Sequence, residues 1–182
     1  MKIHTISSNI YPTVRLKSIE EKDIEELRVW KNKNKINFFS QKEISSEMQR
    51  KWFKKYISDK NGYIYVVEEY VDSNYFHSIG CLGYRDLGND GIDLYNIIRG
   101  KKSLAGQTMI SAMQLLLNAL WKNYDSISCK VLKTNPSIKW YIHVGFEQIE
   151  DNGSYVLMAP NSTKIPTFDV DIKEIKRQEV IK

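Results

Sequence analysis

Cysteine is scarce. The 182 residues hold two, Cys81 and Cys129. Neither belongs to a CxxC pair or has histidines at metal-ligand spacing, and both sit inside apolar, strand-like runs. They read as buried free thiols, so a disulfide scaffold, a zinc site and thiol chemistry are not expected. Long apolar runs are lacking as well. None approaches the roughly 18 residues of a membrane-spanning helix. The opening "MKIHTISSNIYPTVRL" has no apolar core of the signal-peptide kind, and a cytoplasmic location is the expectation. No GxxxxGK[ST] and no GxGxxG occurs, which removes support from nucleoside-triphosphate and dinucleotide folds. Internal repeats and linkers are also missing, and the length suits one domain with a real core.

The composition, 42% hydrophobic and 27% charged, is that of a globular protein. The net charge of +5 is dispersed over stretches that also carry acids. It gives little support to a nucleic-acid surface and suits a small anionic ligand.

Patterning gives the order of elements. Residues 13–19 alternate as a strand. Ser18 and Glu21 form a capping-box pattern before a helix with Ile24, Leu27 and Trp30 at helical spacing. A second helix starts near Ser46 and carries Met48, Trp52 and Tyr56 on one face. Three strands follow at 63–70, 76–87 and 91–99, separated by the turn signals "VDSN" and "GND". Met109, Ile110, Met113, Leu116, Leu117, Leu120 and Trp121 mark a long amphipathic helix. A strand at 126–132 leads to a short helix with Asn135 as expected N-cap, Pro136 at its first position and Gly145 at its end. A hairpin around "NG" closes the pattern. The segment 161–182 is weakly patterned and reads as a loose end or a docking arm. The fold class is therefore a mixed α/β single domain over 1–160, its central sheet covered by helices on both faces.

Two constellations carry chemistry. In "YNIIRGKKSLAGQTM" a strand hands over to the long helix through two glycines and several cations. A helix N-terminus offers unpaired N–H groups and a partial positive charge, which together bind phosphate oxygens. Gly100 and Gly106 would let a ligand approach the backbone, Arg99, Lys101 and Lys102 add charge, and Ser103 can cap or donate. A plain solvated turn explains the same residues. The second constellation, "VLKTNPSIKWYIHVGFE", places Asn135, Tyr141, Gly145 and Phe146 one strand after the long helix.

With both in view, the sequence from about 13 to 160 resembles the GNAT-family N-acetyltransferases. It is closest in layout to members acting on nucleotide-linked amino sugars and to ribosomal-protein N-terminal acetyltransferases. The resemblance implies a mostly antiparallel GNAT sheet and acetyl-coenzyme A as donor substrate, with no metal. Ile97, Ile98, Arg99, Gly100, Lys101, Lys102, Ser103, Ala105, Gly106 and Gln107 would hold the donor, and Asn135 would meet its pantetheine arm. Tyr141 would stand at the thioester sulfur and protonate the thiolate, its ordinary pKa of about 10 keeping it protonated. The chain departs from the family at Leu104, where a glycine is usual. The general base is open among Glu68, Glu69, His77 and Asp93, with Asp93 favoured for its place on the donor strand. The acceptor pocket is implied between the first two helices, with Arg28, Trp30, Asn32 and Glu68 as substrate residues and Arg28 or Lys31 meeting a second pyrophosphate. Trp30 and Trp52 also sit at core spacing. Because 27–53 is rich in Lys, Arg and Asn, an anionic acceptor is expected, namely the amine of a nucleotide-linked deoxysugar in surface-glycan synthesis. N-terminal protein or polyamine acetylation are alternatives, and a non-catalytic acyl-CoA-binding module is the reading from another class. Nucleic-acid and membrane partners are not expected, and oligomeric state, a homodimer included, stays open.

Overall fold

The computed structural model describes residues 3–72 and 75–175. The tip of the "VDSN" turn lies outside them. Among the described residues the chain forms nine strands and four α-helices. They are β1 (Ile3–Ser7), β2 (Val14–Ser18), α1 (Ile24–Lys33), α2 (Ser46–Tyr56), β3 (Gly62–Asp72), β4 (Tyr75–Asp86), β5 (Ile92–Arg99), α3 (Thr108–Leu120), β6 (Ile127–Leu132), α4 (Ile138–Val144), β7 (Phe146–Asp151), β8 (Tyr155–Pro160) and β9 (Asp171–Ile175). The sheet order is β7-β8-β6-β5-β4-β3-β2-β1-β9. Neighbours run antiparallel except β5 and β6, which run parallel.

Strand β3 shows why both faces are covered. Successive side chains of a strand point to opposite faces. Ile64 and Val66 join the cluster under α1 and α2, with Leu27, Trp30, Phe53 and Tyr56. Tyr65 and Val67 join the larger cluster of α3 and α4, with Met113, Leu116 and Tyr141. Such continuous apolar runs belong to strands buried on both sides.

Helix α3 is buried almost all round, including Gln114 and Asn118 on the face opposite its apolar stripe. The segment after Pro160 provides the cover. Ile165 and Val170 enter the core, Asn118 Nδ2 donates to Pro166 O at 3.0 Å, and Phe168 N donates to Asn118 Oδ1 at 2.9 Å. Strand β9 then pairs with β1.

Local signals hold in part. Ser45 caps α2, accepting from Met48 N at 3.2 Å. The capping box before α1 forms from Glu20 and Asp23, which lead a 3-10 turn into the helix. Ser18 lies in β2 and donates to His4 O instead. Helix α4 begins two residues later than its expected first position, at Ile138, and the Asn135 carboxamide accepts from Ser137 N in the turn before it. Both cysteines are free and buried.

Candidate active site

The site begins with a fault in the sheet. Cys81 pairs with Ile98 and Gly83 with Tyr95, so Leu82 faces two residues, Asn96 and Ile97. This β-bulge puts Asn96 at φ 51, a backbone state that asparagine tolerates better than most residues. A bulged strand bends. Accordingly β5 pairs with β6 only at Ile92 and Asp93, and from Leu94 onward its edge toward β6 is open among the described residues. Ile97 and Ile98, expected to hold the donor, lie on this open part of β5.

Beyond Arg99 the chain enters the loop to α3. Gly106 has φ +81, and a Cβ there would meet nothing within 4 Å. The loop is organised by Glu69 of β3, which is 1% exposed. Its carboxylate accepts from Leu104 N, Ala105 N and Thr108 Oγ1, each at 2.8 Å, and from Ser103 Oγ at 3.1 Å. Burial alone would raise the Glu69 pKa, but these four donors outweigh it and hold the carboxyl below its ordinary range. Leu104 is thus accommodated with its N–H on Glu69 and its side chain 73% exposed. Glu69, one of the sequence's candidate bases, serves here as the loop's internal anion. Gly106 N donates to Ser103 Oγ at 2.9 Å. Among the described residues, the N–H groups of Lys102, Ser103, Gln107, Thr108 and Met109 take no intramolecular acceptor.

Gly100 and Lys101 face elsewhere. A Cβ at Gly100 would fall 2.1–2.4 Å from the Trp30 indole, so this glycine makes room for a tryptophan that is 3% exposed. Gly100 N and Lys101 N both donate to Ile79 O at 2.8 Å. The Lys101 ammonium pairs with Glu26 and lies 5.9 Å over the Trp30 ring.

Tyr141 is 7% exposed, with Phe146 and Trp140 edge-on at 5.4 and 5.1 Å. Its pKa is pushed well above 10, first by burial and then by Cys129, so the phenol holds its proton. Cys129 neighbours Ser128, which pairs with Asp93 at the closed end of the β5–β6 gap. The Asp93 carboxyl is raised by burial, with Arg85 and Lys130 opposing. Tyr141 and Asp93 therefore belong to one end of the gap. Glu68 and His77 belong to the other end of the β3–β4 hairpin, and Glu68 is paired with Arg15 at 2.6 Å. Asn135 reaches across to the α1–α2 connection, Nδ2 donating to Asn37 O at 3.2 Å.

On the α1–α2 face lies a cavity of about 190 Å³, lined by Leu27, Lys31, Ile44, Met48, Gln49, Trp52, Ile64, Cys81, Asn96 and Ile98. Arg28, Trp30, Asn32 and Glu68 do not line it. Arg28 is held by Glu25 at 2.6 Å and donates to Ile44 O. Asn32 bonds both the N–H and the C=O of Ile44 at 2.9 Å. These two fix a wall of the cavity, and Trp30 packs in the core beneath it. The signal for the bulge was an asparagine inside an apolar strand. No local pattern ties Glu69 to a loop 35 residues later.

Among the described residues no cluster of His, Cys, Asp or Glu could hold a metal ion, and no helix is long and apolar enough to cross a membrane. No protein-family model and no curated protein matches the chain. Solved structures do. FdhC, a nucleotide-linked sugar GNAT, superposes with TM-score 0.67 at 17% identity over 84% of this chain and 89% of its own. The fold is that of the GNAT acetyltransferases. The GNAT fold also appears in the spermidine N-acetyltransferase of Vibrio cholerae, in complex with CoA and spermine, at TM-score 0.60, 18% identity, and 80% and 94% coverage of the two chains. The N-acetyltransferase PseH of Campylobacter jejuni gives TM-score 0.53, 18% identity, and 81% and 96% coverage.

Proposed function

We propose that the protein is an N-acetyltransferase that takes the acetyl group of acetyl-CoA and transfers it to a primary amine of a nucleotide-linked amino sugar. The observation that carries the reading is the gap between β5 and β6, open along the β5 edge and leading to free N–H groups at the start of α3. An extended chain with amide groups can add to such an edge as a further strand would, and a pyrophosphate suits the helix start. The donor supplies an activated thioester. Tyr141, a phenol that carries its proton at neutral pH, supplies the one that the leaving thiolate requires. Asp93 lies on the donor strand, about 10 Å from Asn96 at 3.3 Å per residue, and takes the amine's proton through solvent. Similar folds act on different amines: FdhC is a nucleotide-linked sugar GNAT, whereas the Vibrio enzyme was seen with spermine. A cavity lined by a lysine and, among the described residues, by no carboxylate supports the sugar nucleotide over the polyamine.

The test is CoA release with nucleotide-linked 4-amino sugars, N-terminal peptides and spermidine offered in parallel. Turnover on the sugars is expected, and activity confined to peptides or spermidine would sink the acceptor assignment. Tyr141→Phe is expected to lower kcat about 100-fold while acetyl-CoA affinity stays within about twofold. Unchanged turnover would remove the acid role, and no acetylated acceptor at all would favour a non-catalytic acyl-CoA-binding module.

A further inference from the structure

Among the described residues, Lys31 is the one charged side chain lining the cavity between α1, α2 and the strands. Several cations on or beside these elements have acidic partners: Arg28 has Glu25, Lys35 has Glu43, Lys51 has Glu47 and Lys101 has Glu26. Lys31 has none among the described residues. Its Nζ donates to Asn96 Oδ1 at 2.8 Å, and the Phe38 ring lies 5.5 Å away. Burial, joined by the positive field of Arg85, pushes the ammonium pKa down. The Cys81 thiol, pushed up to about 12 by burial, supplies no negative charge. The cavity it shares is walled by Leu27, Ile44, Met48, Trp52, Ile64 and Ile98, with Gln49 as a further neutral polar side chain. A partly buried cation among apolar walls is costly unless an opposite charge meets it. Asn96 uses one of three ammonium donors and carries no charge. The side chain that orients Lys31 belongs to Asn96 at the β5 bulge, so the cation is tied to the part of β5 that no longer pairs with β6.

We propose that Lys31 is the specificity-determining residue of the acceptor site: it pairs with an oxyanion, carboxylate or phosphate, carried by the amine acceptor, and it repels polycationic amines. The inference rests on the N-acetyltransferase reading above. An oxyanion completes the lysine's hydrogen bonds and neutralises its charge inside the cavity. A spermidine-like acceptor would bring like charge toward it and find no carboxylate.

The experiment compares matched acceptors in wild type, Lys31→Met and Lys31→Arg with saturating acetyl-CoA. The phosphate arm uses a UDP-linked 4-amino-4,6-dideoxyhexose, its 1-phosphate and the free amino sugar. The carboxylate arm uses alanine and alaninamide, and spermidine is the cationic control. Wild type is expected to prefer the oxyanion-bearing member of one arm by at least about tenfold in kcat/KM, the size of one charge-assisted hydrogen bond. K31M should lose that preference through KM, and K31R should keep most of it. A preference unchanged in K31M, or wild type favouring spermidine, overturns the proposal. A second measurement needs no turnover: a UDP-linked 6-deoxyhexose and lactate, with hydroxyl in place of amine, are titrated calorimetrically into the CoA-loaded proteins. Binding of either to wild type that weakens about tenfold in K31M upholds the contact, and equal or absent binding overturns it. Binding retained with no amine ever acetylated would sink the transferase reading alone.

Discussion

Gly100 illustrates how one residue can look like a ligand-binding element and act as a packing one. The absent side chain at this position is filled by the Trp30 indole, whose ring atoms would lie 2.1–2.4 Å from an added Cβ. Gly100→Ala must therefore push a buried tryptophan off the sheet. It is expected to destabilise the protein by about 3 kcal/mol, the upper range for overpacking, in a urea titration. A cost below 0.5 kcal/mol, the ordinary surface value, would mean that the indole is free to move. Gly145 is of the other kind. Its φ of 112 ends α4 in the left-handed conformation, which glycine alone adopts without strain. The motif residue Tyr141 was legible because it stands in a local run with Asn135, Gly145 and Phe146. Its distance from solvent and its contact with Cys129 were not, since these depend on β6.

At the scale of the element, the loop into α3 takes its shape from a strand far away in sequence. Glu69 accepts four hydrogen bonds from Ser103, Leu104, Ala105 and Thr108, so the N–H groups left for a ligand are those it does not use. Glu69→Gln sets an amide NH₂ against at least one of these donors. The expected result is a loss of about 1–3 kcal/mol and an acetyl-CoA KM raised about tenfold with kcat nearly kept. An unchanged KM would show that the loop keeps its form without the carboxylate. The sign of the pH effect follows from the depressed carboxyl. With a folded value below the ordinary 4.5, the clamp's contribution is complete above the unfolded value and is lost as pH falls through the folded one. Melting temperatures measured from about pH 5 downward should fall less steeply for E69Q than for wild type. Parallel slopes would place the acid sensitivity elsewhere.

For the whole molecule, the segment beyond Pro160 covers the α3 face and one edge of the sheet. It lays Ile165 and Val170 against the cluster around α3, supplies backbone partners for Asn118 and adds β9 to the edge at β1. A bare β1 edge would offer unpaired N–H and C=O groups to other chains. Ile165→Ala is expected to cost about 2–4 kcal/mol in a thermal or urea melt, although it stands outside the span that resembles the GNAT family. A neutral result would make the closing segment dispensable. Mixed charge hid this role in the sequence: residues 161–182 alternate too weakly to mark a strand, and β9 is defined by its register with β1.

The sequence by itself determined the two-sided burial of the strands, the long helix, the turn rich in glycine and lysine, and the Asn135 to Phe146 motif. Each rests on residues within a few turns or strand repeats of one another, where periodicity and capping act. Only the tertiary structure decided that Glu69 takes four of the loop's hydrogen bonds and that Arg28 and Asn32 hold the Ile44 wall. It alone showed that Lys31 enters the cavity without an acidic partner among the described residues. Those outcomes join residues from 12 to 65 positions apart, and the choice among competing partners there is made by sheet register and by the cost of burying an unpaired charge.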